Sequence, residues 1–168
     1  LALAAALAPA LTGCGDDAPP DTVAAASAGS VTVEDPWVRA TTGTDDPTMT
    51  AAFMTIDNET DEDVVLESAS SPVAGMVQLH EMAGSGDTMS MREVEDGIAV
   101  KAHGGQLLQP GGYHVMLMDL ARDLAPGDEV DLTLHFSDGS SQEVTAPVKE
   151  YTEEEGHYHS PGTEEHSH

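Results

Sequence analysis

Residues 106–120 read QLLQPGGYHVMLMDL, and the break in the middle of this run decides the fold. Pro110-Gly111-Gly112 is turn chemistry: proline presets φ and glycine tolerates the positive φ that a tight turn demands. Strand-like stretches flank it, residues 106–109 before and 113–120 after. The second flank alternates: with Val115 and Leu117 pointing to a core, His114, Met116 and Met118 share the opposite face. A helix would need a long apolar stripe of period 3.6, and no window of the chain carries one.

The same grammar repeats on both sides. Residues 31–40 (VTVEDPWVRA) alternate and carry Trp37, with Pro36 marking an edge or a bend. Residues 49–57 (MTAAFMTID) are β-compatible and run into a polar turn at 58–62, and further strand-like stretches fall at 64–68, 73–82, 90–94 and 98–102. Pro126-Gly127-Asp128 precedes 129–136 (EVDLTLHF), and Ser137-Asp138-Gly139 leads into 142–148. Short strands at this spacing predict an all-β Greek-key sandwich or barrel with very little helix, one domain over residues 31–150.

The two ends differ in kind. Residues 1–11 (LALAAALAPAL) are apolar and uncharged, too short for the roughly 20 residues of a spanning helix. They read as the apolar region of a signal peptide whose basic start is missing, and Leu11-Thr12-Gly13-Cys14 resembles the bacterial lipobox. Residues 1–14 are therefore expected to be a lipoprotein signal peptide ending at Cys14, which becomes the lipidated residue, and residues 15–30 a flexible tether. That places the chain outside the cytoplasm of a bacterium, anchored to the membrane. Residues 151–168 are acidic and polar, expected to be disordered, and carry His157, His159, His166 and His168, whose imidazoles suit Cu(II).

Charge and cysteine narrow the chemistry. With 31 acidic and 5 basic side chains the formal charge is −26, which repels phosphate backbones and excludes nucleic acid as a partner. Cys14 is the only cysteine, so no intramolecular disulfide forms. Enzyme signatures are absent: His80-Glu81-Met82-Ala83-Gly84 lacks a zincin's second histidine, and there is no nucleophile elbow, P-loop or dinucleotide fingerprint.

Methionine and histidine carry the signal. Among eight methionines, Met54 sits in apolar company and reads as core, whereas Met82, Met89, Met91, Met116 and Met118 lie close to His80 or His114 or between them. On a strand, His80 and Met82 face the same way with Cα atoms roughly 6.6 Å apart, and His114 and Met116 do likewise. A thioether is soft, uncharged and unable to form disulfides, so imidazole and thioether together suit Cu(I) in an oxidising compartment. His135, among Leu132, Leu134 and Phe136, reads as a surface or satisfied histidine, and His103 beside Gly104-Gly105 as a turn residue.

Leu79-His80-Glu81-Met82, Met91-Arg92-Glu93-Val94 and residues 110–118 (PGGYHVMLM) resemble the PCu(A)C periplasmic copper chaperones, with supporting matches at Trp37-Val38-Arg39-Ala40 and Ser71-Pro72-Val73-Ala74. The family pattern is a His, ten residues, a Met, twenty-one residues, then His-x-Met. Here ten residues separate His80 from Met91 and twenty-two separate Met91 from His114, the extra one assigned to the Glu95-Asp96-Gly97 turn. The resemblance implies a cupredoxin-like β-fold and a Cu(I) site of His80, Met91, His114 and Met116; Met82 and Met118, which share the strands and parity of the two histidines, are expected as nearby spares. It also implies a copper-accepting partner, such as the copper centre of cytochrome c oxidase or another copper chaperone. Two other readings stay open here: copper scavenging or tolerance without a dedicated acceptor, and a metal-free Ig-like structural module.

Overall fold

The computed structural model describes residues 30–150. Ten strands run through them: β1 (Val31–Arg39), β2 (Thr50–Asn58), β3 (Val64–Ser70), β4 (Ala74–Ala83), β5 (Ser90–Glu93), β6 (Ile98–Val100), β7 (Gly104–Leu108), β8 (Tyr113–Leu120), β9 (Glu129–Phe136) and β10 (Ser141–Lys149). The one helical element among the described residues is a 3₁₀ turn, Gly86–Thr88. Cys14, the lipobox, residues 15–29 of the tether and the tail histidines His157, His159, His166 and His168 lie outside the described residues.

The strands follow the order β5-β4-β8-β7-β2-β1-β10-β9-β3-β6 and close over on themselves, so that β3 lies against β4 and β6 against β7 without pairing to them. This is an all-β sandwich of the cupredoxin-like kind. Two pairings are parallel, β7 with β8 and β1 with β10. In the second, Val38 faces Val148 and Arg39 faces Lys149, and Ala40 N–H continues the ladder to Lys149 O at 2.8 Å. One core fills the interior, drawing Val38, Met54, Ile56, Leu66, Leu79, Val115, Leu117, Leu132, Leu134 and Val148 from both layers. Met54 is fully inside, as its apolar neighbours predict.

Local chemistry explains where the elements bend and stop. Pro36 cannot donate to a ladder, and the β1–β2 register slips between Glu34 and Trp37, with Asp35 at φ +47°. The strand expected to run to residue 102 ends at Val100, because residues 101–104 turn: Gly104 N–H donates to Lys101 O at 3.0 Å and His103 sits at φ +52°. His103 is thus the turn residue expected, with its Nε2 2.9 Å from Asp61 Oδ1. β7 accordingly starts at Gly104 rather than at residue 106, and Gly105 allows it to pair so closely that a Cβ there would come within 2.5 Å of Asp57 Oδ1. The turn expected at residues 95–97 is present, closed by Gly97 N–H on Val94 O, with Gly97 at φ +77°.

Candidate metal centre

Three neighbouring strands at one edge of the sheet, β5, β4 and β8, carry every His and Met that the motif spacing singled out as a principal ligand. β4 and β8 pair antiparallel, with His80 opposite His114, Gln78 opposite Met116 and Met76 opposite Met118. On the other side of β4, Met82 stands opposite Met91 of β5. Alternation then does the sorting. Leu79, Val115 and Leu117 go to the core, and His80, Met82, His114, Met116 and Met118 take the other face.

That outer face is not simply solvated. His114 is 4% exposed and Met116 7%, although neither belongs to the core cluster. They are covered by the walls of a cleft of about 550 Å³, which Met49, Phe53, Met82 and Met91 also line. Arg39 and Asp46 supply its charged side. Phe53 is the outward residue of β2 between Ala52 and Met54, and its ring lies 6.2 Å from that of His114 and 4.6 Å from that of Trp37. Met91 is 48% exposed on β5, the edge strand, which is fastened to β4 by Arg92 Nε donating to Glu81 Oε1 at 2.7 Å. Met91 thus stands on the cleft wall even with twenty-two residues between it and His114.

The two histidines are held differently. His114 donates Nδ1–H to Gly112 O at 3.1 Å, which leaves Nε2 with a free lone pair. Burial pushes its pKa below the ordinary value, the Gly112 hydrogen bond opposes that shift, and the charge of a protonated His80 would add to it. Burial, with the neighbouring His80 charge acting in the same direction, favours the neutral ring, which is the form that binds a metal. His80 packs edge-to-face on His114 with ring centroids 5.8 Å apart, close enough for one ion to bridge a nitrogen of each through bonds of about 2 Å. His80 has one ring nitrogen against Gln78 and the other, Nδ1, buried without a partner. Among the described residues no three His, Cys, Asp or Glu side chains gather as a metal site, and the cleft lining carries one imidazole, His114, and four thioethers, Met49, Met82, Met91 and Met116, against one carboxylate, Asp46. That donor set fits Cu(I) and is too soft for Mg²⁺ or Ca²⁺.

The placement of the remaining expected residues varies. Met82 lines the cleft with Met91, His114 and Met116; His80 is not among its lining residues, and Met118 lies four residues along β8 from His114, facing the 49% exposed Met76 rather than the cleft. Met89 is exposed on the loop before β5. Sequence reasoning missed Met49, which lines the cleft ahead of β2, and Phe53, which roofs His114. Phe53 was readable from parity, since it alternates with Ala52 and Met54; Met49 was not, because the strand expected from residue 49 begins at Thr50 and leaves Met49 outside its alternation.

Known proteins share this architecture. Residues 31–148 match the LpqE-like family, described as "Putative lipoprotein LpqE-like". A protein of Leifsonia xyli subsp. xyli, "Putative lipoprotein Lxx21020", is 35% identical over 143 residues that cover 84% of each chain. Among solved structures, the chain is similar to the solution structure of CuI-DR1885 from Deinococcus radiodurans, at 37% identity and a TM-score of 0.60, over 76% of this chain and 83% of that one. The copper-bound PCuAC domain from PmoF2 matches at 24% identity and a TM-score of 0.59, over 74% of this chain and 97% of that one, a likeness of fold alone. The PCu(A)C resemblance drawn from the His and Met motifs therefore holds.

Proposed function

The chain belongs to the LpqE-like family, and on that premise we propose that it is a copper chaperone of the bacterial cell exterior. In this reading it holds one Cu(I) on His80, Met91, His114 and Met116, with Met82 as the adjacent spare, and passes it to a copper-accepting protein. The observation that carries the reading is the register that sets His80 against His114 and Met82 against Met91, on the face away from the core where His114 and Met116 are buried in one cleft with Met82 and Met91. The similarity to CuI-DR1885 supports Cu(I) as the cargo.

The layout suits a carrier better than a store. His114 and Met116 are sunk in the cleft floor, whereas Met91 stands half in solvent on an edge strand. An incoming ligand displaces the exposed thioether first, and the metal leaves stepwise without the domain unfolding. Thioether ligands stay uncharged throughout, so no proton need be taken up when a sulfur lets go. Cys14 is the lipid-modified residue in this scheme, and its two acyl chains give stable attachment to the membrane. The copper centre of cytochrome c oxidase is one acceptor of suitable chemistry.

The deciding experiment loads the protein with Cu(I) under reducing conditions and mixes it with a metal-free copper-accepting fragment of cytochrome c oxidase. Copper recovered on the acceptor supports delivery. Cu(I) that binds tightly but never moves points to scavenging instead, and a protein purified without any Cu(I) affinity removes the chaperone reading altogether.

A further inference from the structure

His80 and His114 face one another across β4 and β8, yet they are gripped by different ring nitrogens. His114 uses Nδ1–H on Gly112 O and keeps Nε2 free. On His80 the grip is at the far nitrogen: Nε2 lies 3.1 Å from Gln78 Oε1, while Nδ1 is buried with no hydrogen-bond partner. An amide oxygen only accepts, so Nε2 of His80 carries the hydrogen and Nδ1 carries the lone pair. The opposite tautomer would need the Gln78 amide turned so that its N–H donates to Nε2, and would still bury an Nδ1–H with nothing to receive it. A buried, unpartnered lone pair on a ring 5.8 Å from a second imidazole is what a metal ligand looks like before the metal arrives.

We propose that Gln78 is a positioning residue that fixes His80 as the Nε2–H tautomer, so that His80 receives the metal through Nδ1 while His114 receives it through Nε2. The inference rests on the Cu(I) reading above. Gln78 is two residues before His80 on the same face of β4, and it stands opposite Met116, so it abuts one ligand on its own strand and another on the next. Ligating histidines commonly depend on such outer partners, whose loss costs about 10- to 100-fold in metal affinity.

The test is long-range ¹H–¹⁵N NMR of the histidine side chains in the full ¹⁵N-labelled chain, metal-free and then with Cu(I), or with Ag(I) as its closed-shell stand-in. In the parent, the metal-free His80 is expected to show Nε2–H, and metal is expected to shift Nδ1 of His80 and Nε2 of His114. Gln78→Leu should leave His80 a mixture of tautomers and weaken Cu(I) by about tenfold. Gln78→Glu keeps an accepting oxygen and should restore both the tautomer and an affinity close to the parent's, which a purely structural role for Gln78 would not explain. Circular dichroism confirms that each variant is folded, and should Gln78→Leu not fold, the parent and Gln78→Glu spectra still decide. A metal-free His80 protonated at Nδ1, or metal on Nε2 of His80 while His114 responds normally, overturns the inference and leaves the copper site standing. Metal that shifts neither ring overturns both.

Discussion

Strands β8 and β9 are each eight residues long, and they solve burial in opposite ways. Along β9 every second residue, Val130, Leu132, Leu134 and Phe136, is buried, and His135 stands out among exposed or half-buried neighbours. Along β8 four consecutive residues from His114 to Leu117 are buried. The core takes Val115 and Leu117, and the cleft takes His114 and Met116. Both strands place a histidine on the face away from the core, yet one histidine meets water and the other meets Phe53, His80 and a wall of thioethers. A strand buried on both faces in a small β-sandwich therefore marks a second, smaller interior, and here that interior is lined with donors instead of hydrocarbon alone.

The inner faces of the two strands should behave alike, and that is where the largest effects are expected. Leu117→Ala and Leu132→Ala each empty a fully buried position of the same core. Each should cost about 2–5 kcal/mol of stability in urea denaturation. A cost confined to β9 would mean that β8 has only one interior. The outer faces should then diverge. His114→Ala should weaken Cu(I) by well over tenfold, about 1.4 kcal/mol or more, in competition with a Cu(I) chelator. His135→Ala, on the exposed face of β9, should leave affinity unchanged. Equal losses at the two positions would erase the contrast. Met116→Leu sharpens it further: volume and apolarity are kept, so stability should move by less than about 1.5 kcal/mol while Cu(I) binding falls. Met54→Leu, the same change in the core, should disturb neither.

The smallest effect is a pH dependence. Because burial lowers the pKa of His114 in the folded chain, the unfolded chain takes up a proton more readily there. Stability from this group is complete above the ordinary histidine value of about 6.5 and is lost as pH falls through it towards the lower folded value. Metal-free protein should therefore melt at progressively lower temperature as it is acidified below that point. His114→Gln should flatten the slope and His135→Gln should not. The carboxyls of Asp63 and Asp128, held down by hydrogen bonds from Lys101 and Arg122, add their own acid sensitivity further down the scale.

Most of the strand pattern was legible because turn residues and period-two alternation are local. Residues 113–120 and 129–136 form strands with the bounds their alternation predicts. Boundaries failed where glycine could be either turn or strand, as at Gly104 and Gly105, whose place in β7 depends on Asp57 and Asn58 across the ladder. Pairing order was not legible at all: nothing in residues 31–39 announces that β1 will run parallel to β10, since that contact spans more than a hundred residues. Parity on β4 and β8 set the candidate ligands on one face. The register that puts His80 against His114, the depth of His114 and the presence of Met49 depend on how separate strands and a loop meet.

The parallel alignment of β1 and β10 also gives the domain a front and a back. The chain comes into the sandwich at Val31, and Arg39 and Ala40, at the opposite end of β1, border the cleft about 25 Å away at roughly 3.3 Å per residue. Any mooring upstream of Val31 therefore attaches to the rear of the domain, at the end of β1 remote from the mouth of the cleft. Lys149 pairs with Arg39, so the chain departs at the front, beside that mouth.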